Sequence, residues 1–129
     1  MSAEYNASIL IVDDDSSVLE SSAELLKGYG YSVISCNNSA DALARLKEKK
    51  IDVVLTDIRM PVVSGIELLE QIQNLHIGVP VILMTAYAEL DIAINAMGKG
   101  AFDFIVKPYK SELLVHSIEM AVKHKRLIA

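Results

Sequence analysis

Asp13 and Asp14 follow the apolar run Ile9-Leu10-Ile11-Val12, and Asp57 comes just after Val53-Val54-Leu55. Thr85 follows Val81-Ile82-Leu83-Met84, and Lys107 follows Phe104-Ile105-Val106. If those runs are parallel strands of one sheet, all of these polar groups emerge along the edge where open α/β sheets bind ligands. The three carboxylates contribute −3 and Lys107 contributes +1, and the remaining −2 demands a divalent cation. Every available ligand atom is an oxygen, which selects a hard ion. Two or three carboxylates leave room for waters and a phosphoryl oxygen, so Mg²⁺ fits better than a full Ca²⁺ cage. Beside such an ion, one oxygen of Asp57 can attack phosphorus. Thr85 and Lys107 then hold the equatorial oxygens as charge moves.

Taken singly, these residues have plainer readings: Asp13 to Asp15 as a helix cap, and Lys107 before Pro108 as a surface lysine. Their joint placement at strand ends is what points to a shared site. His76, His116 and His124 are scattered without ligand spacing and read as exposed or helical residues. Cys36 reads as a small buried hydrophobe, and Met60, Met84, Met97 and Met120 as core filler. The Lys47 to Lys50 cluster reads as a solvated helix end favoured by the dipole.

The elements that must position the site alternate along the chain. Strands are expected at Ile9–Val12, Tyr31–Cys36, Val53–Thr56, Val81–Met84 and Phe102–Val106. Between them, Ser16 or Ser17 opens a helix to about Lys27, with Ser17 and Glu20 as a capping box and Gly28 as its stop. Ser39 caps a helix through about Lys49 whose Ala42, Leu43 and Leu46 face inward. Ser64 with Glu67 opens another to about Leu75, one follows at Leu90–Met97, and Ser111 caps the last, which reaches about Leu127. Five strands alternating with five helices imply right-handed crossovers and a parallel sheet covered on both faces.

A chain of 129 residues is one domain's worth. With no linker or repeat, 1–129 reads as a single domain, alone or as the N-terminal part of a longer protein. A 52% hydrophobic composition with one cysteine reads as a reduced intracellular, cytoplasmic protein. No apolar stretch approaches the roughly 20 residues of a membrane span, and Met1 to Ala7 is unlike a signal peptide. The net charge of −5 argues against direct nucleic-acid contact by this domain.

Asp13-Asp14 after the first strand, Asp57 followed by Met60-Pro61 and Gly65, Thr85-Ala86, and Lys107-Pro108 together resemble the receiver domains of two-component response regulators. The resemblance runs from about Ser8 to Leu127. It implies an α/β fold, a doubly wound, flavodoxin-like, five-stranded parallel sheet of order 2-1-3-4-5 with five helices. It also implies a phosphorylation-activated signalling switch that catalyses its own phosphorylation and dephosphorylation rather than an enzyme in the usual sense. Asp57 would accept a phosphoryl group from a sensor histidine kinase or phosphotransfer protein. Asp14, Asp57 and the Arg59 backbone carbonyl would ligate Mg²⁺, with Asp13 contacting it through water. Thr85 and Lys107 would bind the phosphoryl group, Thr85 and Phe104 would form the switch, and the Lys107-Pro108 bond would be cis. A homodimer through the fourth helix, fifth strand and fifth helix is the self-association the resemblance allows, with Ile92, Ala96, Lys99, Asp103 and Lys123 to Arg126 on that surface. The segments Asp57 to Pro61 and Met84 to Tyr87 look most like receivers of sigma-54-dependent transcriptional activators, which implies transcription regulation as output.

Some positions depart from the commonest pattern. Phe104 lacks the hydroxyl of a frequent tyrosine. Val62-Val63-Ser64 replaces a loop that more often holds glycine and aspartate, so a stiffer turn is expected. Arg59 and Tyr87 are long side chains expected to cover the water approach to a phosphorylated Asp57. Two alternatives remain at this level: a haloacid-dehalogenase-like phosphatase with Asp13 as nucleophile and Asp15 as acid, and a non-phosphorylated interaction module.

Overall fold

The structure, a computed structural model, describes residues 7–128. The segment 1–6 and the side chain of Arg126 lie outside the described residues. Along the chain come β1 (Ser8–Val12), α1 (Ser16–Gly28), β2 (Ser32–Cys36), α2 (Ser39–Glu48), β3 (Val53–Asp57) and α3 (Gly65–Asn74). They are followed by β4 (Val81–Ala86), a 3-10 turn (Tyr87–Glu89), α4 (Leu90–Met97), β5 (Asp103–Lys107) and α5 (Ser111–Ile128). The strands form one parallel sheet in the order β2-β1-β3-β4-β5. This is the doubly wound, flavodoxin-like arrangement expected.

Alternation along each buried strand divides the core in two. Leu10, Val12, Val54, Val81 and Leu83 face the layer that includes Ala42, Leu68, Leu69 and Ala93 from α2, α3 and α4. Ile9, Ile11, Val53, Leu55, Ile82 and Met84 face Ala23, Leu26, Leu114 and Ile118 from α1 and α5. Because both faces are covered, these strands read as continuous apolar runs. Each fully buried Leu or Ile contributes roughly 1.5–3 kcal/mol by leaving water.

Several local expectations are corrected. The N-cap of α1 is Asp15, whose carboxylate accepts from the Ser17 and Val18 amides, so the Ser17–Glu20 box is not the device that starts it. The N-cap of α2 is Asn38. Ser39 is instead the first helical residue, and its hydroxyl donates to the Val63 carbonyl at 3.0 Å. The Ser64–Glu67 capping box on α3 is present as read, whereas α5 begins at Ser111 itself. Gly28 does not stop α1; Gly30, at φ 95°, takes the left-handed position beyond it. There the Gly30 and Tyr31 amides return to the Lys27 and Leu26 carbonyls in a Schellman closure.

Met60 and Met84 are buried, but Met97 and Met120 are exposed, on the outward faces of α4 and α5. Cys36 is buried, and His76, His116 and His124 are exposed. Of the expected signalling surface, Ile92, Lys99 and Lys123 are exposed, whereas Ala96 is buried against the sheet. Asp103 is half-buried and bonded to the Ser117 hydroxyl at 2.7 Å.

Candidate functional site

The chain leaves β1 toward β2 on one side and returns through β3 on the other, so a crevice opens between the carboxyl ends of β1 and β3. Val12 pairs with Thr56, which brings Asp13 and Asp57 side by side one residue further on. Pairing of Asp57 with Met84, and of Thr85 and Ala86 with Val106 and Lys107, carries the same edge across the sheet. Asp57 and Lys107 are the last residues of their strands, and Thr85 is the last but one.

One ligand oxygen from each of Asp13, Asp14 and Asp57 lies within 4.8 Å of the others. Lys107 Nζ stands 3.2 Å from Asp57 Oδ1 and 3.7 Å from Asp13 Oδ2. The three carboxylates are unequal. Asp13 is 1% exposed; its Oδ1 accepts the Asp15 amide at 3.0 Å, while its Oδ2 is buried without a hydrogen-bond partner. Asp14 is exposed, and Asp57 is half-buried, with the Ile58 amide donating to Oδ1 at 3.1 Å.

Burial raises the carboxyl of Asp57 above its ordinary value, the Lys107 ammonium opposing it. Burial likewise raises Asp13, offset in part by the Asp15 amide. For Lys107 burial works against the charge, but the carboxylates of Asp57 and Asp13 outweigh it and hold the ammonium above its usual value. An orphaned buried oxygen and anions crowded round one lysine are what a hard divalent cation would relieve, so the donor set fits Mg²⁺.

The β3–α3 connection closes tightly on β3. The Gly65 amide donates to the Ile58 carbonyl at 2.8 Å, and a Cβ at Gly65 would overlap the Asp57 carbonyl oxygen. Val62 in this loop has φ 69° with its side chain almost wholly in solvent. A β-branched residue there is strained. This is more specific than the stiff turn expected.

Thr85 is fully buried, and its hydroxyl donates to the carbonyls of Ala86 at 3.1 Å and Glu89 at 3.4 Å. Phe104 lies opposite Leu83, packed against the same core layer that Val81 and Leu83 enter. Arg59 is engaged by the Glu89 carboxylate, and Tyr87 stands 78% exposed. Glu89 was not among the expected site residues; 30 positions separate it from Arg59, and no spacing rule links them. Asp15 is committed to its helix cap, and the Lys107-Pro108 bond is cis.

The response regulator receiver domain family matches residues 9–119. The transcriptional regulatory protein ZraR of Klebsiella oxytoca is 42% identical over 119 residues, covering 92% of this chain and 27% of that protein. The DNA-binding transcriptional regulator NtrC of Escherichia coli (strain K12) is 41% identical over 116 residues, covering 90% of this chain and 25% of that protein. The chain thus spans about a quarter of the length of these relatives. Among solved structures, a response regulator receiver domain protein from Clostridium thermocellum superposes with a TM-score of 0.91 at 36% identity, covering 95% of this chain and 99% of that one. FixJ-N gives a TM-score of 0.87 at 35% identity, covering 92% of this chain and 95% of that one.

Proposed function

The chain belongs to the response regulator receiver domain family, and from that premise we propose that Asp57 is the phosphoacceptor of a Mg²⁺-dependent switch. The observation that carries this reading is Lys107 Nζ at 3.2 Å from Asp57 Oδ1, inside a cluster of three carboxylates. Asp13, Asp14, Asp57 and the Arg59 backbone carbonyl are the groups that would hold Mg²⁺. Bound there, the ion supplies charge neutralisation for the phosphoryl oxygens.

An oxygen of Asp57 attacks phosphorus as the bond to the donor breaks and the donor keeps its electron pair. Lys107 is already aimed at that carboxylate and follows the charge onto the phosphoryl oxygens. Thr85 trades its main-chain acceptors for a phosphoryl oxygen, and Phe104, on the same sheet face, responds by burial alone. The change is a population shift between existing states. It is read on α4, β5 and α5, where a homodimer would form.

The donor is a sensor histidine kinase or a phosphotransfer protein. Residues 1–129 act as one receiver domain in the cytoplasm and control transcription through an output outside these residues, without touching nucleic acid themselves. Among the described residues no helix is long and apolar enough to cross a membrane. A haloacid-dehalogenase-like reaction is not favoured, because its nucleophile would be the buried Asp13 and its acid the capping Asp15. The non-phosphorylated module is not favoured either, because the acidic set and Lys107 converge.

Intact-mass measurement after incubation with acetyl phosphate and Mg²⁺ should find one base-labile phosphoryl group, absent from Asp57→Ala. Equal labelling of both proteins would sink the assignment.

A further inference from the structure

Glu89 occupies the junction between the 3-10 turn and α4, and it is held there from two directions. Its carboxylate, with the side chain only 11% exposed, holds Arg59, which is two residues beyond Asp57. Its carbonyl accepts from Thr85 Oγ1. Both restraints therefore end on residues that flank the acceptor. The start of α4 has no side-chain cap of its own, and Glu89 at φ −113° is outside helical geometry. Arg59 and Glu89 also line a groove of about 550 Å³ with Asp14, Met60, Ile66 and Ile92, which separates the β3–α3 loop from α4.

A phosphoryl group on Asp57 brings about −1.5 to −2 charge and three strong acceptors, against the single charge of Glu89. A guanidinium is suited to bidentate phosphoryl recognition. We propose that Glu89 is the resting-state partner of Arg59 and that phosphorylation of Asp57 takes Arg59 from it. The start of α4 then loses its side-chain anchor and, as Thr85 turns to the phosphoryl group, its main-chain anchor as well. Glu89 is thus the residue on which two triggers converge. This mechanism rests on Asp57 being the phosphoacceptor.

The test is a double-mutant cycle of Arg59→Gln, Glu89→Gln and both together, read by amide hydrogen exchange over Leu90–Met97. Each protein is measured alone and with Mg²⁺ and beryllofluoride as the phosphoryl stand-in. In the unmodified proteins each single variant should exchange about threefold faster than wild type, and the double variant no faster than either, since one contact is removed once. Beryllofluoride should accelerate wild type by a larger factor than any variant. Wild-type exchange in Arg59→Gln, or additive effects in the double variant, would overturn the proposal by showing that Glu89 acts on α4 without Arg59. Failure of the wild type to take up a phosphoryl group from acetyl phosphate would instead remove the receiver mechanism beneath it.

Discussion

Replacing Asp13 with asparagine should make the metal-free protein more stable and Mg²⁺ less able to stabilise it further. Asp13 is 1% exposed, and its Oδ2 has no hydrogen-bond partner. Lys107 Nζ, at 3.7 Å, is shared with Asp57, to which it is closer at 3.2 Å. An unsatisfied buried polar oxygen costs roughly 1–3 kcal/mol, more when charged, and loss of the Lys107 attraction offsets part of the relief. Asparagine keeps an acceptor for the Asp15 amide. A net gain of about 1–2 kcal/mol remains, or roughly 4–8 °C in melting temperature for a domain of this size. The pH dependence has a definite sign. Burial raises Asp13 above its unfolded value of 3.8, so between those two values the folded state binds more protons and stability falls as pH rises. Wild type and Asp13→Asn should therefore melt alike below the unfolded value and diverge as pH climbs through that window. Thermal melts in EDTA, and again with saturating Mg²⁺, measure both effects. A less stable Asp13→Asn in EDTA at neutral pH would refute the reasoning, because the Lys107 attraction would then exceed the burial penalty.

Three further outcomes follow from the same geometry. Asp14→Ala should weaken Mg²⁺ binding steeply, while Lys107→Ala should keep or strengthen it by removing a repelling charge, and a titration with equal losses would contradict the assignment. Val62→Gly should stabilise the protein by about 0.5–1 kcal/mol, since relief of a left-handed valine outweighs the entropy of glycine and an exposed side chain forfeits no packing; an unchanged urea midpoint would count against strain there. Gly65→Ala should cost about 2–3 kcal/mol through overlap with the Asp57 carbonyl and impair phosphorylation, and a mutant with native stability and labelling would show that the loop yields freely.

The sheet was legible because its three inner strands, β1, β3 and β4, are buried on both faces and so appear as largely apolar runs, while the edge strands β2 and β5 are only partly buried. The same fact located Asp57 and Thr85, since a polar residue ending such a run has nowhere to go but the edge; Lys107 was located by the short apolar stretch Phe104-Ile105-Val106 before it, although β5 is only partly buried. The caps were less legible. Asp15 competes with Ser16 and Ser17, and Asn38 with Ser39, all good capping residues; the second choice is made by the distant Val63 carbonyl, which engages the Ser39 hydroxyl. The unequal burial of Asp13 and Asp14 depends on which way the chain turns after β1. Val62 gave no sign of a left-handed backbone, because its residue type disfavours one. The Arg59–Glu89 pair depends on tertiary placement, and Met97 and Met120 lie on helix faces whose outward direction the sheet determines.

The position of Asp57 in the strand order has a mechanical consequence. β3 is paired on both sides, to β1 and β4, whereas β5 is paired on one side only. Asp57, the proposed phosphoacceptor, is thus mounted on the central strand, held on both sides, and Lys107 and Phe104 ride on a free rim. Displacing β3 would break two rows of backbone bonds, while bending β5 strains one. A phosphoryl charge placed on Asp57 would therefore meet a seat held on both sides, and the compliance of the rim would decide where the molecule deforms. Amides of β1 and β3 should exchange only through global opening, and those of β5 through cheaper local excursions. On the proposed function, the rigid middle would keep the chemistry in register while the rim carries the message.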